Sequence, residues 1–171
     1  MNKLLRQLTD GDLRSDGKAN DAARQVIYQP ELLPDLVEGF ESDSEIIRMR
    51  TAHAVEVISR ENGNLLEEFR PKLIKYAQKD TLPETRWHLA QVFGNLDLSP
   101  KETGIVLPIL YKYLESGTVL VKSWTIVGLG NIAKKNDRFR QEILQKIAEL
   151  QNDKSPAVRN RVVQVLGDLT K

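Results

Sequence analysis

The stretch Asp153-Lys154-Ser155-Pro156-Ala157-Val158-Arg159-Asn160-Arg161-Val162-Val163-Gln164-Val165-Leu166-Gly167-Asp168-Leu169 decides the fold, because weaker copies of it recur upstream at near-constant spacing. Laid over one another, the copies place a basic residue at Arg48, Arg86, Lys122 and Arg159, in steps of 38, 36 and 37 residues. Eight positions after each base stand Glu56, Gly94, Gly130 and Gly167, and ten positions after it stand Ile58, Leu96, Ile132 and Leu169. A second series keeps the same period: Pro34, Pro71 and Pro108 are each 37 residues apart, with Gln145 at the next place. Self-similarity of this length marks stacked supersecondary units, each too small to bury its apolar face alone.

Within the last copy the apolar residues are Val158, Val162, Val163, Val165, Leu166 and Leu169. At about 100° per residue they form one broad stripe, which predicts a helix with a buried face. The segment before each base is a second amphipathic helix, as over 65–78 and 100–115, so a repeat is two helices. Pro71 and Pro108 fall inside these first helices, where a missing N–H predicts a kink. Ser99-Pro100-Lys101-Glu102 reads as a capping box with proline at the first helical position, Asn136-Asp137 as the cap of the next first helix, and Ser155-Pro156 as the start of the last second helix. The fold expected is all-α: an α-α superhelix of about five hairpins in one domain, 1–171. A degenerate first repeat, 1–29, with short helices near 2–9 and 18–29, is followed by repeats at about 30–61, 62–97, 98–134 and 135–171.

Over residues 31–171 the pattern resembles the HEAT-repeat family of armadillo-like α-solenoids, whose motif is Asp-x-x-Pro-x-Val-Arg followed by Leu-Gly-x-Leu. Asp153, Pro156, Val158, Arg159 and Leu166-Gly167-Asp168-Leu169 match it most closely, and Asp80, Pro83, Arg86 and Phe93-Gly94-Asn95-Leu96 come next. The resemblance implies an inter-repeat ladder of Arg48, Asp80, Arg86, Lys122, Asp153 and Arg159. Copy four departs from the motif, with Gly117 and Val119 near the acid and proline places and Lys122 for arginine. Lysine lacks the planar fork, so this rung is the one expected to weaken. The Arg and Leu-Gly-x-Leu columns are also similar to the phycobilisome-lyase HEAT-like group, in which those columns belong to the scaffold.

With 25 Lys plus Arg against 24 Asp plus Glu, the formal net charge of +1 argues against a chain built mainly to neutralise nucleic acid. No cysteine is present, which excludes disulfides, thiol nucleophiles and thiolate metal sites. No signal-like apolar core and no apolar run near the ~18 residues of a membrane span are found, so a cytoplasmic protein is expected. The segment 28–47 holds acids and no base, while 134–171 holds nine Lys or Arg against five Asp or Glu. Two solvated faces account for this, and weak head-to-tail self-association of an otherwise monomeric chain is the sharper alternative.

The family resemblance places the second helices on the concave side, with positions one, two, five and nine after the base pointing into a groove. These are Met49, Arg50, His53 and Val57; Trp87, His88, Gln91 and Asn95; Ser123, Trp124, Val127 and Asn131; Asn160, Arg161, Gln164 and Asp168. Both tryptophans and both histidines of the chain fall in this set. Exposed tryptophan is a typical interface anchor, although rings that merely seal repeat junctions would show the same spacing. His53 and His88 lack a third ligand at convincing spacing, and only Asp168 could supply an acid, so neither a metal, a cofactor nor catalysis is expected. Gly128-Leu129-Gly130 lies in a helix stripe, where glycine serves close packing rather than phosphate binding. The reading is a non-enzymatic scaffold that binds a protein or peptide along the groove. Nucleic acid is the second reading, by analogy with HEAT-like alkylpurine DNA glycosylases.

Overall fold

A computed structural model describes the backbone of residues 1–171 and every side chain except that of residue 116. Ten α-helices occur among the described residues: α1 (Lys3–Arg6), α2 (Ala19–Tyr28), α3 (Leu33–Val37), α4 (Glu45–Asn62), α5 (Arg70–Lys79), α6 (Pro83–Asn95), α7 (Pro100–Ser116), α8 (Val119–Lys135), α9 (Asp137–Ala148) and α10 (Pro156–Leu169). Tighter 3₁₀ segments span Pro30–Leu32, Glu38–Glu41 and Gly63–Phe69. The chain divides inside α6 into two compact units, Met1–Leu89 and Ala90–Lys171. Among the described residues no helix is long and apolar enough to cross a membrane.

The first unit is built around α4, against which α2 packs. The α2 face is Ala19, Ala22, Ala23 and Val26, all fully buried. Small side chains there let the two helix axes come close. Leu4 and Leu5 of α1 and Leu8 after it are also buried. Fully removing a leucine side chain from water contributes about 1.5–3 kcal/mol, so even these short elements are tied down. In this unit the kink expected at Pro71 is replaced by a helix start, and Pro34 is placed in the same way. Pro34 and Pro71 sit in the first turns of α3 and α5, after 3₁₀ segments that end at Leu32 and Phe69. A first-turn N–H has no intrahelical acceptor, so proline costs nothing there. The helix expected over 65–78 is thus split, and an internal proline is found at Pro108 of α7.

In the second unit α8 is the central helix, packed against α7, α9 and α10. Glycine allows backbone to meet backbone: a Cβ on Gly128 would stand 2.3 Å from the Ala90 carbonyl oxygen, and one on Gly94 2.8 Å from Gly128 Cα. A Cβ on Gly130 would collide with Val165 Cγ1 at 2.5 Å. Ser99 and Glu102 form the reciprocal capping box, with the Ser99 N–H donating to Glu102 Oε2 at 2.7 Å and the Glu102 N–H to Ser99 Oγ at 3.1 Å. Asn136 does not cap α9 with its side chain. Its amide donates to the Ile132 carbonyl at 3.1 Å, so it closes the end of α8 instead. The stripe expected on α10 is only partly buried. Val158, Val162, Val165 and Leu169 are inside, whereas Val163 is 71% exposed and Leu166 is half-buried.

Among the described residues, Arg48 and Lys122 of the basic column make inter-repeat ion pairs. Arg48 Nε donates to Asp80 Oδ2 at 3.1 Å, while its Nη1 donates to the Ser42 and Asp43 carbonyls of its own turn. Lys122 Nζ reaches Asp153 Oδ2 at 2.9 Å, with both side chains largely buried. The lysine rung is therefore closed: a single point contact suffices where no turn carbonyls have to be shared. Arg86 donates from Nε to the Asp80 carbonyl at 2.9 Å, and Arg159 from Nη1 to the Asp153 carbonyl at 2.7 Å.

Candidate functional site

The first hairpin changes which second-helix positions are accessible. Met49, Arg50 and Val57 of α4, expected in a groove, are buried at 3%, 0% and 5% exposure. Arg50 is the most telling case. Its Nη1 donates to the Leu8 carbonyl at 2.8 Å, its Nε to Ser15 at 3.2 Å and its Nη2 to Asp12 at 3.3 Å. The loop between α1 and α2 is thus wrapped around the guanidinium. Gly17, at φ +51°, lies so close that a Cβ would stand 2.6 Å from Arg50 Cζ. A docked cation of this kind is structural and is removed from the candidate interface.

His88 is internal as well, and His53 is half-buried. His88 of α6 is buried, both its ring nitrogens lack hydrogen-bond partners, and Trp87 stacks on it with centroids 3.6 Å apart. Burial, with the nearby His53 adding to it, pushes its pKa down to about 2, so the ring is neutral. His53 meets His88 edge-on at 4.8 Å and is held by the loop and α2, through Asn20 Oδ1 at 3.1 Å and Asp16 Oδ1 at 3.4 Å. Among the described residues no group of three or more metal-ligating side chains forms. Trp87 remains half-buried.

In the second unit Val127 and Asn131 of α8 and Arg161, Gln164 and Asp168 of α10 line one cleft, with Trp124 of α8 under Arg161, while Gln91 and Asn95 lie on α6. Of these, Gln164 and Asp168 are exposed and the others half-buried, while Ser123 is buried and Asn160 exposed. Close approach at Gly94 and Gly128 sets α6 against α8, and at Gly130 it sets α8 against α10. Arg161 lies over the Trp124 ring, 5.3 Å from guanidinium carbon to centroid, and donates from Nη1 to Gln164 Oε1 at 2.9 Å. A guanidinium over an indole face at this distance is a cation–π contact. Beside it Val127, Asn131, Lys134, Arg161, Gln164 and Asp168 line a cleft of about 110 Å³. Asp168 is partnered by Lys171 at 3.3 Å, which leaves Lys134 and Arg161 as the dominant charges.

Lys134 was not singled out by the sequence reading. Its signal was available, because it stands one helical turn after Asn131 and so on the same face. Its neighbour Lys135 points elsewhere, donating to the Asn95 and Leu96 carbonyls at 3.0 Å each, where a cation complements the C-terminal end of α6.

No family model matches the chain, and no curated protein does. Solved structures do match. A designed armadillo repeat protein superposes with a TM-score of 0.65 at 17% identity, over 97% of this chain and 80% of that one. A second, solved in complex with the peptide (KR)4, gives 0.68 at 17% identity over 97% and 80%. An engineered protein gives 0.69 at 21% identity over 98% and 79%. The fold is therefore an armadillo-like α-α repeat solenoid built of helical hairpins.

Proposed function

We propose that the protein is a non-enzymatic scaffold that binds an extended peptide segment of a partner across the exposed faces of α6, α8 and α10. The observation that carries this reading is the Trp124–Arg161 pair beside the amides Asn131 and Gln164 of one cleft. Side-chain amides can both donate to and accept from a peptide backbone, while Trp124 and Val127 offer apolar contact. The designed armadillo protein bound to (KR)4 shows that this fold can carry a peptide. Here the indole face is already occupied by the chain's own guanidinium, and Lys134 adds a second cation, so the preferred peptide carries a carboxylate. Membership of the HEAT type rather than another armadillo-like type is part of the same proposal, supported by the Arg48–Asp80 and Lys122–Asp153 rungs.

The test is calorimetric titration of the full chain with a Glu-rich octapeptide and with (KR)4, repeated for Trp124→Ala and Arg161→Ala. The acidic peptide should bind more tightly, and Trp124→Ala should weaken it by about 2 kcal/mol, roughly thirtyfold. Binding of neither peptide at millimolar concentration, or affinity unchanged by both substitutions, overturns the reading. Retention of duplex DNA with a steep salt dependence would favour a nucleic-acid role instead.

A further inference from the structure

The cleft between α8 and α10 holds a surplus of hydrogen-bond donors. Among the described residues the Lys134 ammonium has no partner, and neither has the Asn131 amide. Arg161 uses Nη1 alone, on Gln164, so the edge formed by its Nε and Nη2 is left over. A guanidinium can only donate, which makes Gln164 Oε1 the acceptor and leaves the Gln164 amide nitrogen as a further donor. The one carboxylate of the cleft, Asp168, is engaged by Lys171 at 3.3 Å. Two cations without a carboxylate partner therefore share a small space. Arg161 is held ready there by the Trp124 ring, 5.3 Å from guanidinium carbon to centroid, so less ordering entropy is lost when a ligand arrives. The floor is apolar: Val165 packs against Gly130, where a Cβ would stand 2.5 Å from Val165 Cγ1, and Val127 lies alongside. Charges over such a floor are screened less than in open water.

The size and charge of the cleft define what it can take. At about 110 Å³ it is well short of the roughly 300 Å³ at which pockets for whole small molecules begin, so it admits one group of a larger ligand. A side-chain carboxylate brings one charge and two acceptor oxygens. A phosphorylated serine or threonine brings a charge of about −1.5 to −2 and three acceptor oxygens, which matches two cations and the spare donors of Arg161, Lys134 and Gln164. We propose that this cleft receives the phosphoryl group of a phosphorylated serine or threonine in the bound peptide. The inference rests on the peptide-binding reading above and makes a carboxylate the weaker ligand of the same place. The Nε and Nη2 edge of Arg161 takes two phosphoryl oxygens, Lys134 adds a point charge, and Gln164 donates from its amide. A nucleic-acid backbone fits less well, because each of its phosphates carries a single charge.

The test uses three octapeptides that differ only in a central serine, glutamate or phosphoserine. Each is titrated calorimetrically into the full chain and into Lys134→Gln and Arg161→Gln; Lys134 is exposed, so its replacement leaves the core untouched. The phosphoserine peptide should bind at least about tenfold more tightly than the glutamate peptide, and either substitution should shrink that preference to about threefold or less. The side-chain Nε resonance of Arg161 and the amide of Gln164 should shift as the phosphopeptide is added. Equal affinity for phosphoserine and glutamate would overturn the inference and leave the acidic-peptide reading standing, whereas binding of none of the three at millimolar concentration removes both. A phosphoserine preference that survives both substitutions would place the phosphoryl group elsewhere and overturn it. Inorganic phosphate that binds as tightly as the phosphopeptide would assign the cleft to a free anion. Tighter, steeply salt-dependent binding of duplex DNA would assign it to nucleic acid, and each of these results also overturns the inference.

Discussion

Replacing Arg50 with methionine keeps the aliphatic stem in the core and removes the guanidinium that organises the loop between α1 and α2. The side chain is fully buried and donates to three carbonyls, at 2.8, 3.2 and 3.3 Å. Hydrogen bonds from a charged donor contribute about 1.5–3 kcal/mol each, and the two longer ones belong at the low end, for a gross contribution of about 5 kcal/mol. Relief of the guanidinium's own burial returns several kcal/mol in an idealised count. The substitution nevertheless leaves the Leu8, Asp12 and Ser15 carbonyls without their donor, and unsatisfied buried acceptors cost about 1–3 kcal/mol each. The loop escapes that cost by peeling into water, which uncovers Leu8 and the alanine face of α2. A net loss of about 2–4 kcal/mol in urea unfolding is expected, with accelerated amide exchange over 19–28. Arg50→Lys should do little better, because one ammonium does not span three carbonyls spread over residues 8–15. A loss below about 1 kcal/mol, with α2 amides still protected, would refute the view that this cation holds the first hairpin in place.

Gly128→Ala should destabilise by about 1–3 kcal/mol or more by calorimetry, since its Cβ would stand 2.3 Å from a backbone oxygen that has no rotamer to escape by. The burial that depresses the His88 pKa from 6.5 to about 2 makes the unfolded chain bind one more proton below pH 6.5. Stability should therefore fall as pH drops from 6.5 towards 2, by up to about 1.4 kcal/mol per unit from this group. His88→Leu should flatten that slope in pH-dependent urea unfolding and, by removing two unpartnered nitrogens, should not weaken the protein at pH 7. The Asp153 carboxyl is held below its ordinary value of 3.8 by the hydrogen bond from Lys122 and then by the Ser155 N–H. Its contribution is complete above that value and is lost as pH falls through the lowered pKa. Asp153→Asn should consequently destabilise at pH 7 and converge with wild type in strong acid, in the same unfolding assay.

Much of the architecture was legible before any coordinates. The 37-residue period, the basic column and the Leu-Gly-x-Leu stripe define helix pairs that stack, because one pair leaves an apolar face uncovered. The candidate site was legible only in part. Trp124, Val127, Asn131, Arg161 and Gln164 share a surface, and their spacing on successive repeats was visible in the chain. Met49, Arg50 and His88 had the same spacing and turned out to be internal. Helical periodicity states which residues share a face, but it carries no information on what else lies against that face.

Sequence alone thus determined what is local or periodic: helix pairs, the capping box at Ser99 and Glu102, the glycines at junctions and the residues that could form a ladder. Tertiary structure decided what depends on long-range neighbours. It turned Pro71 from a kink into a helix start, closed the Lys122 rung on Asp153, and folded the loop between α1 and α2 over Arg50. It also left Val163 in water, although its repeat equivalents Ala52, Ala90 and Ile126 are buried. The physical reason is that burial belongs to pairs of surfaces: a residue's type and spacing prepare one of them, and only the packed chain supplies the other.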